Sequence, residues 1–230
     1  MNFNNYLQLK SKEKFILILL ALFSIIIRIP VILKFGDVRL ENEWFVLVNN
    51  LKDYGTLSLV GDWFTPSLED FNGYVLPNLW MPPLYAYYIY FFTFFNLEEQ
   101  NYILLILLSQ VFLASITVII FYKINKLFFS NITSLFTSIL FSFFPLFIYA
   151  SSQISSICLH TFLVIIFYYY FFKIADKKNF LSIFLFSFTA GLIMLARGEH
   201  IVIFLFSSFY LFFFFKVPIK KILLIFIIAL

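Results

Sequence analysis

The chain has 230 residues, of which 63% are hydrophobic, 23% aromatic and only 12% charged, and its formal net charge is +4. Soluble domains carry about 25% charged residues, and a soluble core of this size would not hide 36 Phe and 14 Tyr side chains. The basic residues are spread over short loops, which favours a membrane topology over nucleic-acid binding. We therefore predict an all-α integral membrane protein, a polytopic helix bundle that forms a single membrane domain over residues 1–230.

Apolar runs of the length needed to cross a bilayer, about 20 residues of helix, follow one another along the chain. Because the backbone must satisfy its own hydrogen bonds in hydrocarbon, these runs are predicted to be helices. The sequence predicts about seven spans, at Phe15–Phe35, Tyr102–Tyr122, Ile132–Tyr149, Ile157–Phe172, Phe180–Ala196, Ile201–Phe215 and Ile222–Leu230. The last run stops in mid-span, so we expect the chain to be the N-terminal part of a longer protein.

A long polar segment, residues 36–101, separates the first two spans. Within it, Glu43–Asp53 is predicted to be an amphipathic helix stopped by Gly55. Pro82–Phe95 would be roughly 21 Å long as a helix, which is short for a span, and the Pro-Pro pair suits its start.

Lysine positions indicate how the spans alternate. If Pro82–Phe95 lies flat at the interface, nearly every lysine of a short loop falls on the side of the N-terminus, as the positive-inside rule requires. We therefore expect a cytoplasmic N-terminus in the bacterial inner (plasma) membrane and a large outer loop that carries interfacial helices. This loop and its edge hold most acidic residues: Asp37, Glu41, Glu43, Asp53, Asp62, Glu69, Asp70, Glu98 and Glu99.

The first candidate site residues are Asp37, Glu41 and Glu43, directly after the first span. A carboxylate at a lipid boundary is partly desolvated, which raises its pKa and suits it to act as a base. The alternative is that these acidic residues only favour a helix N-terminus.

Two further segments lie on the same predicted face. Pro83 and Tyr85 would form the floor for a lipid-linked substrate, or only part of an interfacial aromatic belt. Arg197 would bind a lipid phosphate, or snorkel and pair with Glu199 to tighten a helical hairpin.

Other polar residues are interpreted as structural. Cys158 and His160 are expected to pack within a span, His200 to be a surface group, and Asn131 to cap a helix. Acidic residues do not occur in the middle of the apolar runs, which argues against an ion-coupled transporter. Nucleotide-binding and metalloprotease motifs are not found either.

Five segments, taken in order, resemble motifs of the GT-C glycosyltransferases that use polyprenyl-phosphate sugars, among them the protein mannosyltransferases and the lipid A aminoarabinose transferases. The segments are Arg28-Ile29-Pro30, Leu40–Phe45 with Asn50–Ser58, Met81–Tyr85, Phe144–Tyr149 and Leu195–Glu199. The chain departs from the family at Glu41-Asn42, where Asp-Glu is common, and at Gly198, where Pro is usual. The family's later spans and outer C-terminal domain are not part of this sequence.

The resemblance implies transfer of a sugar from a polyprenyl-phosphate donor to a lipid, glycan or protein acceptor on the outer face, with inversion. It implies Glu41 as the base, with Glu43 second and Asp37 third. Arg39 and Arg197 would hold the leaving phosphate, with Glu199, Pro83 and Tyr85 as further substrate-binding residues. A divalent metal ion stays open, because some relatives need one and the sequence shows no dedicated ligand cluster.

Two alternatives remain at this point. A transporter or flippase for a lipid-linked sugar would share the aromatic surface and the boundary arginines, but would form no glycoside. A non-catalytic membrane subunit or inactive fragment would show no activity even with every candidate carboxylate intact.

Overall fold

The computed structural model describes residues 11–60, 77 and 81–229, and every regular element in these ranges is a helix. The helices are α1 (Ser11–Phe35), α2 (Asn42–Tyr54), α3 (Pro83–Thr93), α4 (Glu99–Asn125), α5 (Asn131–Phe143), α6 (Pro145–Ala150), α7 (Ile157–Lys177), α8 (Phe180–Ala196), α9 (His200–Phe213) and α10 (Ile219–Ala229).

Three of the described helices are long and apolar enough to cross a membrane, over Glu13–Phe35, Glu99–Asn125 and Ile157–Ala175. Helices α5, α8 and α9 are apolar but shorter. The all-helical class is thus confirmed for the described part of the chain, and the three apolar helices are those expected of a membrane protein. The number of seven spans and the outer loop stay predictions.

Helix α4 is the centre of the first half of the bundle. Half of its apolar stretch is buried inside the protein, against 28% for α1 and for α7, and both of these helices pack along it. Its 27 residues span about 40 Å, which exceeds the roughly 30 Å of bilayer hydrocarbon. Trp44 and Leu47 of α2 and Tyr85 and Ile89 of α3 cover the first turns of α4 in one apolar cluster. Helices α2 and α3 therefore bury the N-terminal end of α4.

Helix α3 begins as the sequence predicts, with Pro82 before the helix and Pro83 as its first residue. The side chain of Tyr88 hydrogen-bonds Ser109 of α4, and a short turn with Asn96 at φ 50° leads back to the start of α4. Both ends of α3 thus lie beside the N-terminal half of α4. With 11 residues it is about 16 Å long, too short to cross the hydrocarbon.

The predicted span Ile132–Tyr149 is not one helix. Phe144 is extended, with φ −61° and ψ 118°, and separates α5 from α6. Pro145 is the cause, because proline disfavours the helical conformation of the residue before it. The predicted cap at Asn131 is also wrong: Ser130 caps α5 by accepting a hydrogen bond from the backbone N–H of Thr133 at 3.2 Å.

Small residues form the buried face of α5. Ser134, Ser138 and Ser142 recur at helical spacing and are fully buried, where α5 packs on α1 and α4. Ser138 donates its hydroxyl proton to the carbonyl of Ser134 at 2.7 Å. Small side chains allow helix backbones to approach closely in a membrane, where packing replaces the hydrophobic effect between helices.

The second half of the bundle packs around α8, which contacts α7, α9 and α10. Phe167 of α7 stacks on Phe186 of α8 with ring centroids 4.5 Å apart. Gly191 of α8 faces the carbonyl of Ala229 in α10 so closely that an added Cβ would lie 2.9 Å from that oxygen. Glycine at this position therefore sets the distance between α8 and α10.

Contacts between chain segments define two ends of the bundle. At the basic end, Lys126 pairs with Glu13, and Lys221 donates to the carbonyl of Lys178 at 2.6 Å. At the opposite end, Asp37, two residues after α1, hydrogen-bonds Ser152 in the turn before α7, and Leu40 hydrogen-bonds Glu99. This grouping agrees with the one that lysine counting predicts, while the side of the membrane on which each end lies stays a prediction.

We expect Gly191→Val to weaken the folded state by about 1–3 kcal/mol, because the added methyl groups overpack the contact with the Ala229 carbonyl. Gly198→Val is the matched control, since no atom lies within 4 Å of a Cβ added there. Reversible unfolding of both variants in mixed detergent micelles measures the difference. Equal costs for the two substitutions would contradict the close approach of α8 and α10.

We expect opposite accessibility for the turn before α9 and the first turn of α10. In a Cys158→Ala background, a membrane-impermeant maleimide added to spheroplasts should label Gly198→Cys but not Lys220→Cys until the cells are opened. Both positions are exposed. If only Lys220→Cys were labelled on closed spheroplasts, the predicted topology would be wrong and the opposite orientation would be correct.

Candidate functional site

The first constellation forms where the chain leaves α1. Gly36 closes the helix by donating its backbone N–H to the carbonyl of Ile32 at 2.8 Å. The backbone N–H of Asp37 then donates to the carbonyl of Ser152 at 3.1 Å. Its carboxylate Oδ2 accepts a hydrogen bond from the backbone N–H of Ile154 at 2.6 Å. Asp37 is thereby held by the Ser151–Ser156 turn that precedes α7.

Gln110 of α4 supports the same turn from within the bundle. It is fully buried, and its Nε2 donates to the carbonyl of Gln153 at 2.9 Å. Gln153 in turn donates its Nε2 to the carbonyl of Phe35 at 2.9 Å. The sequence analysis did not single out Gln110, although an amide in the middle of an apolar run was the available signal.

Aromatic side chains fix α2 and α3 above this network. Trp44 packs edge-on against Tyr85 with ring centroids 4.9 Å apart, and Tyr85 stacks on Tyr88 at 5.5 Å. The Tyr85 hydroxyl donates to the side-chain oxygen of Gln110 at 3.4 Å. Tyr85 has no exposed surface, so it shapes the site from behind, whereas Pro83 is half-buried.

Two of the tyrosines of α3, Tyr85 and Tyr88, are held neutral. Burial raises the pKa of the Tyr85 phenol well above its ordinary value, with smaller contributions from Tyr88, Cys158 and Asp37. Burial also raises the pKa of Tyr88 to about 12, against the opposing effect of its hydrogen bond with Ser109. The hydroxyls therefore serve as hydrogen-bond donors or acceptors in neutral form.

The two glutamates of the first constellation lie in different settings. Glu41 is exposed and immediately precedes α2, where its backbone carbonyl accepts from Phe45 N–H at 2.9 Å and its side chain makes no capping hydrogen bond. Glu43 is half-buried in the first turn of α2, and Arg39 is exposed. Glu99 accepts a hydrogen bond from the backbone N–H of Leu40 at 3.2 Å, which fixes the approach to α2.

The second constellation occupies the turn between α8 and α9. Arg197 ends α8 in an extended conformation, and its Nη1 lies 3.7 Å from Oε1 of Glu199. The Arg197 side chain is 42% exposed and that of Glu199 is 71% exposed, so this pair contributes little to stability. His200 starts α9, and its ring meets that of His160 edge-on at 4.6 Å between centroids. The two histidines, which were expected to be structural, thus join α7 to the α8–α9 turn.

Helix α7 connects the two constellations. Ile154, just before it, bonds Asp37, and His160 in its first turns contacts His200. Helix α3 also packs on α8. The structure therefore gathers Asp37, Glu41, Glu43, Arg197 and Glu199 at one end of the bundle. In the part of the chain that is described, no hydrogen bond or ion pair joins the carboxylates of the first constellation to Arg197.

A metal centre is not formed by these residues. Among the described residues, no three His, Cys, Asp or Glu side chains cluster in a way that would hold a metal ion. The predicted loop acids Asp62, Glu69 and Asp70 lie outside the described residues.

The larger cavities are apolar grooves away from the candidate residues. A groove of about 840 Å³ between α7 and α9 is lined by aromatic side chains that include Tyr168, Phe171, Phe206 and Tyr210. Because its lining is aromatic, the groove is suited to contact a hydrocarbon chain.

Comparisons with protein-family models, with curated proteins and with solved structures find no match for this chain.

We expect Asp37→Leu to destabilise the protein by about 1–3 kcal/mol, because the backbone N–H of Ile154 would lose its acceptor. Asp37→Asn should cost much less, since its side-chain oxygen can still accept this bond. Asp53→Leu on the exposed face of α2 is the control. Unfolding in mixed micelles measures the stability of all three variants. An Asp37→Leu variant as stable as the control would show that the hydrogen bond between Ile154 and Asp37 does not stabilise the protein.

Proposed function

We propose that the protein is a membrane glycosyltransferase of the GT-C type, acting at the outer face of the bacterial inner (plasma) membrane. It would move a sugar from a polyprenyl-phosphate donor to a lipid, glycan or protein acceptor. The observation that carries the proposal is the position of the acidic segment from Asp37 to Glu43. The turn before α7 holds this segment at the end of the bundle where Arg197 also lies.

The proposed chemistry needs a proton acceptor and a cation, and the exposed side chains of Glu41 and Arg197 would supply them. Glu41 has a side chain that makes no capping hydrogen bond, so its carboxylate is available to take a proton. The acceptor hydroxyl would give its proton to Glu41 while its oxygen bonds to the anomeric carbon from the face opposite the phosphate. The bond between that carbon and the phosphate oxygen would break, and polyprenyl phosphate would leave with inversion of the sugar.

The leaving phosphate needs a cation at the membrane boundary. Arg197 suits this role because its guanidinium is exposed and only loosely paired, at 3.7 Å from Glu199, and arginine binds phosphate bidentately. Arg39 is a second exposed cation beside Glu41. Helix α3, with Pro83 at its start, would contact the lipid-linked substrate between the two constellations.

The proposed order of the candidate bases stays Glu41, Glu43 and Asp37. Asp37 already uses one carboxylate oxygen to accept from Ile154, which suits it to position the turn rather than to take up a proton. Glu41 is therefore the first choice, and Glu43 stays second because it is half-buried in α2.

We expect Glu41→Gln to lower sugar transfer by about 10²- to 10⁴-fold, the usual contribution of a general base. Membranes from cells that express the protein would be given a radiolabelled polyprenyl-phosphate sugar, and the labelled glycoside would be measured. Asp53→Asn is the control, because Asp53 is an exposed acid in the last turn of α2, the helix that Glu41 precedes.

Each alternative has its own outcome in this assay. Undiminished transfer by both Glu41→Gln and Glu43→Gln would overturn the catalytic assignment. Labelled lipid that crosses the bilayer without forming a glycoside would identify a flippase instead. Absence of both activities with all carboxylates intact would indicate a non-catalytic subunit.

A further inference from the structure

Arg28 lies inside the helix bundle, in the second half of α1. It is only 1% exposed and is one of the largest fully buried side chains of the described residues. A charged side chain in this setting is expensive unless its hydrogen-bonding groups are satisfied. Its environment therefore has to supply partners for every N–H of the guanidinium.

The hydrogen bonds that Arg28 makes with described residues all involve Nη1 of the guanidinium. Its Nη1 donates to the carbonyl of Ser24 at 3.0 Å, to the hydroxyl of Ser24 at 2.7 Å and to the hydroxyl of Ser142 at 3.4 Å. Its Nε is buried, and no described residue accepts a hydrogen bond from it. A buried donor without an acceptor destabilises the folded state.

A small cavity adjoins Arg28 at the meeting point of several helices. It has a volume of about 20 Å³, and about 10–15 Å³ is enough for one water molecule. Its walls come from α1, α4, α5, α6 and α7, and the residues with polar side chains among them are Arg28, Thr117, Cys158 and Thr161.

The protons of the lining hydroxyls are already in use. Thr117 donates to the carbonyl of Leu113 at 2.7 Å, and Thr161 donates to that of Ile157 at 2.8 Å. Cys158 directs its thiol to the carbonyl of Gln110 at 3.1 Å. Each threonine oxygen keeps lone pairs that can accept a hydrogen bond. The cavity thus combines a donor from Arg28 with acceptors from two threonines.

We infer that this cavity binds one water molecule, which accepts from the Arg28 guanidinium and donates to Thr117 and Thr161. Water is both donor and acceptor, and buried waters typically make about three such bonds. A halide ion would meet the positive charge of Arg28 but also the lone pairs of both threonines, and it would leave them without a donor. The water would join α1 to α4 and α7 in the interior of the bundle.

The first test compares two matched threonines. Thr117 and Thr189 are 3% and 5% exposed, and each donates at 2.7 Å to a carbonyl four residues earlier, but only Thr117 lines the cavity. Thr117→Val should lower the folding equilibrium constant by about fivefold more than Thr189→Val, because the water loses one partner. Equal costs for the two variants would overturn the proposal.

The second test asks whether the effect depends on Arg28. In an Arg28→Met background the excess cost of Thr117→Val should disappear, because the water has lost its main donor. An unchanged excess would show that the threonine acts by itself and would refute the water bridge.

A third measurement does not depend on any variant. An experimental density map of the protein in lipid nanodiscs, at a resolution that shows ordered waters, should contain one peak within hydrogen-bond distance of Arg28 and the two threonines. Crystals soaked in bromide should give no anomalous signal there. A cavity without density, or an anomalous peak, would overturn the proposal in favour of a dry site or an anion.

Discussion

The absence of water from the hydrocarbon layer is the constraint on which the rest of the structure depends. Every backbone group within the layer must find its partner in the protein, so the chain forms helices and pairs them through small or apolar faces. Hydroxyl side chains obey the same rule by bonding carbonyls of their own helix, as Ser138 does with Ser134 and Ser187 with Ile183. The bundle can therefore hold many Ser and Thr side chains without polar contacts between helices.

One group of polar contacts between helices lies at the end of the bundle opposite the Lys126–Glu13 pair. Gln110 and Gln153 tie α4 to the turn before α7, and the same turn holds Asp37. Arg28 reaches from α1 to Ser142 of α5. In an apolar surrounding these bonds specify which helices are neighbours, so they fix loop positions that apolar packing alone would leave adjustable.

This arrangement explains how an end of a lipid-embedded bundle can present a defined polar surface. The aromatic contact between Trp44 and Tyr85 holds α2 against α3, and α3 packs against α4 and α8. The exposed groups, Glu41 and Arg197 among them, thus extend from rigid helix ends rather than from long free loops.

The sequence by itself determined the class of the protein, because a soluble fold could not bury so many apolar side chains. Local signals also placed the start of α3 at Pro83 and the end of α2 at Gly55, which adopts φ 67°. The break at Phe144 was likewise present locally, in Pro145, although the apolar run concealed it. Only the tertiary structure decided that Asp37 would bond the turn before α7. The hydropathy of a segment indicates whether it lies in the membrane but not which helix is its neighbour. The neighbours of each helix depend on how all the helices pack together.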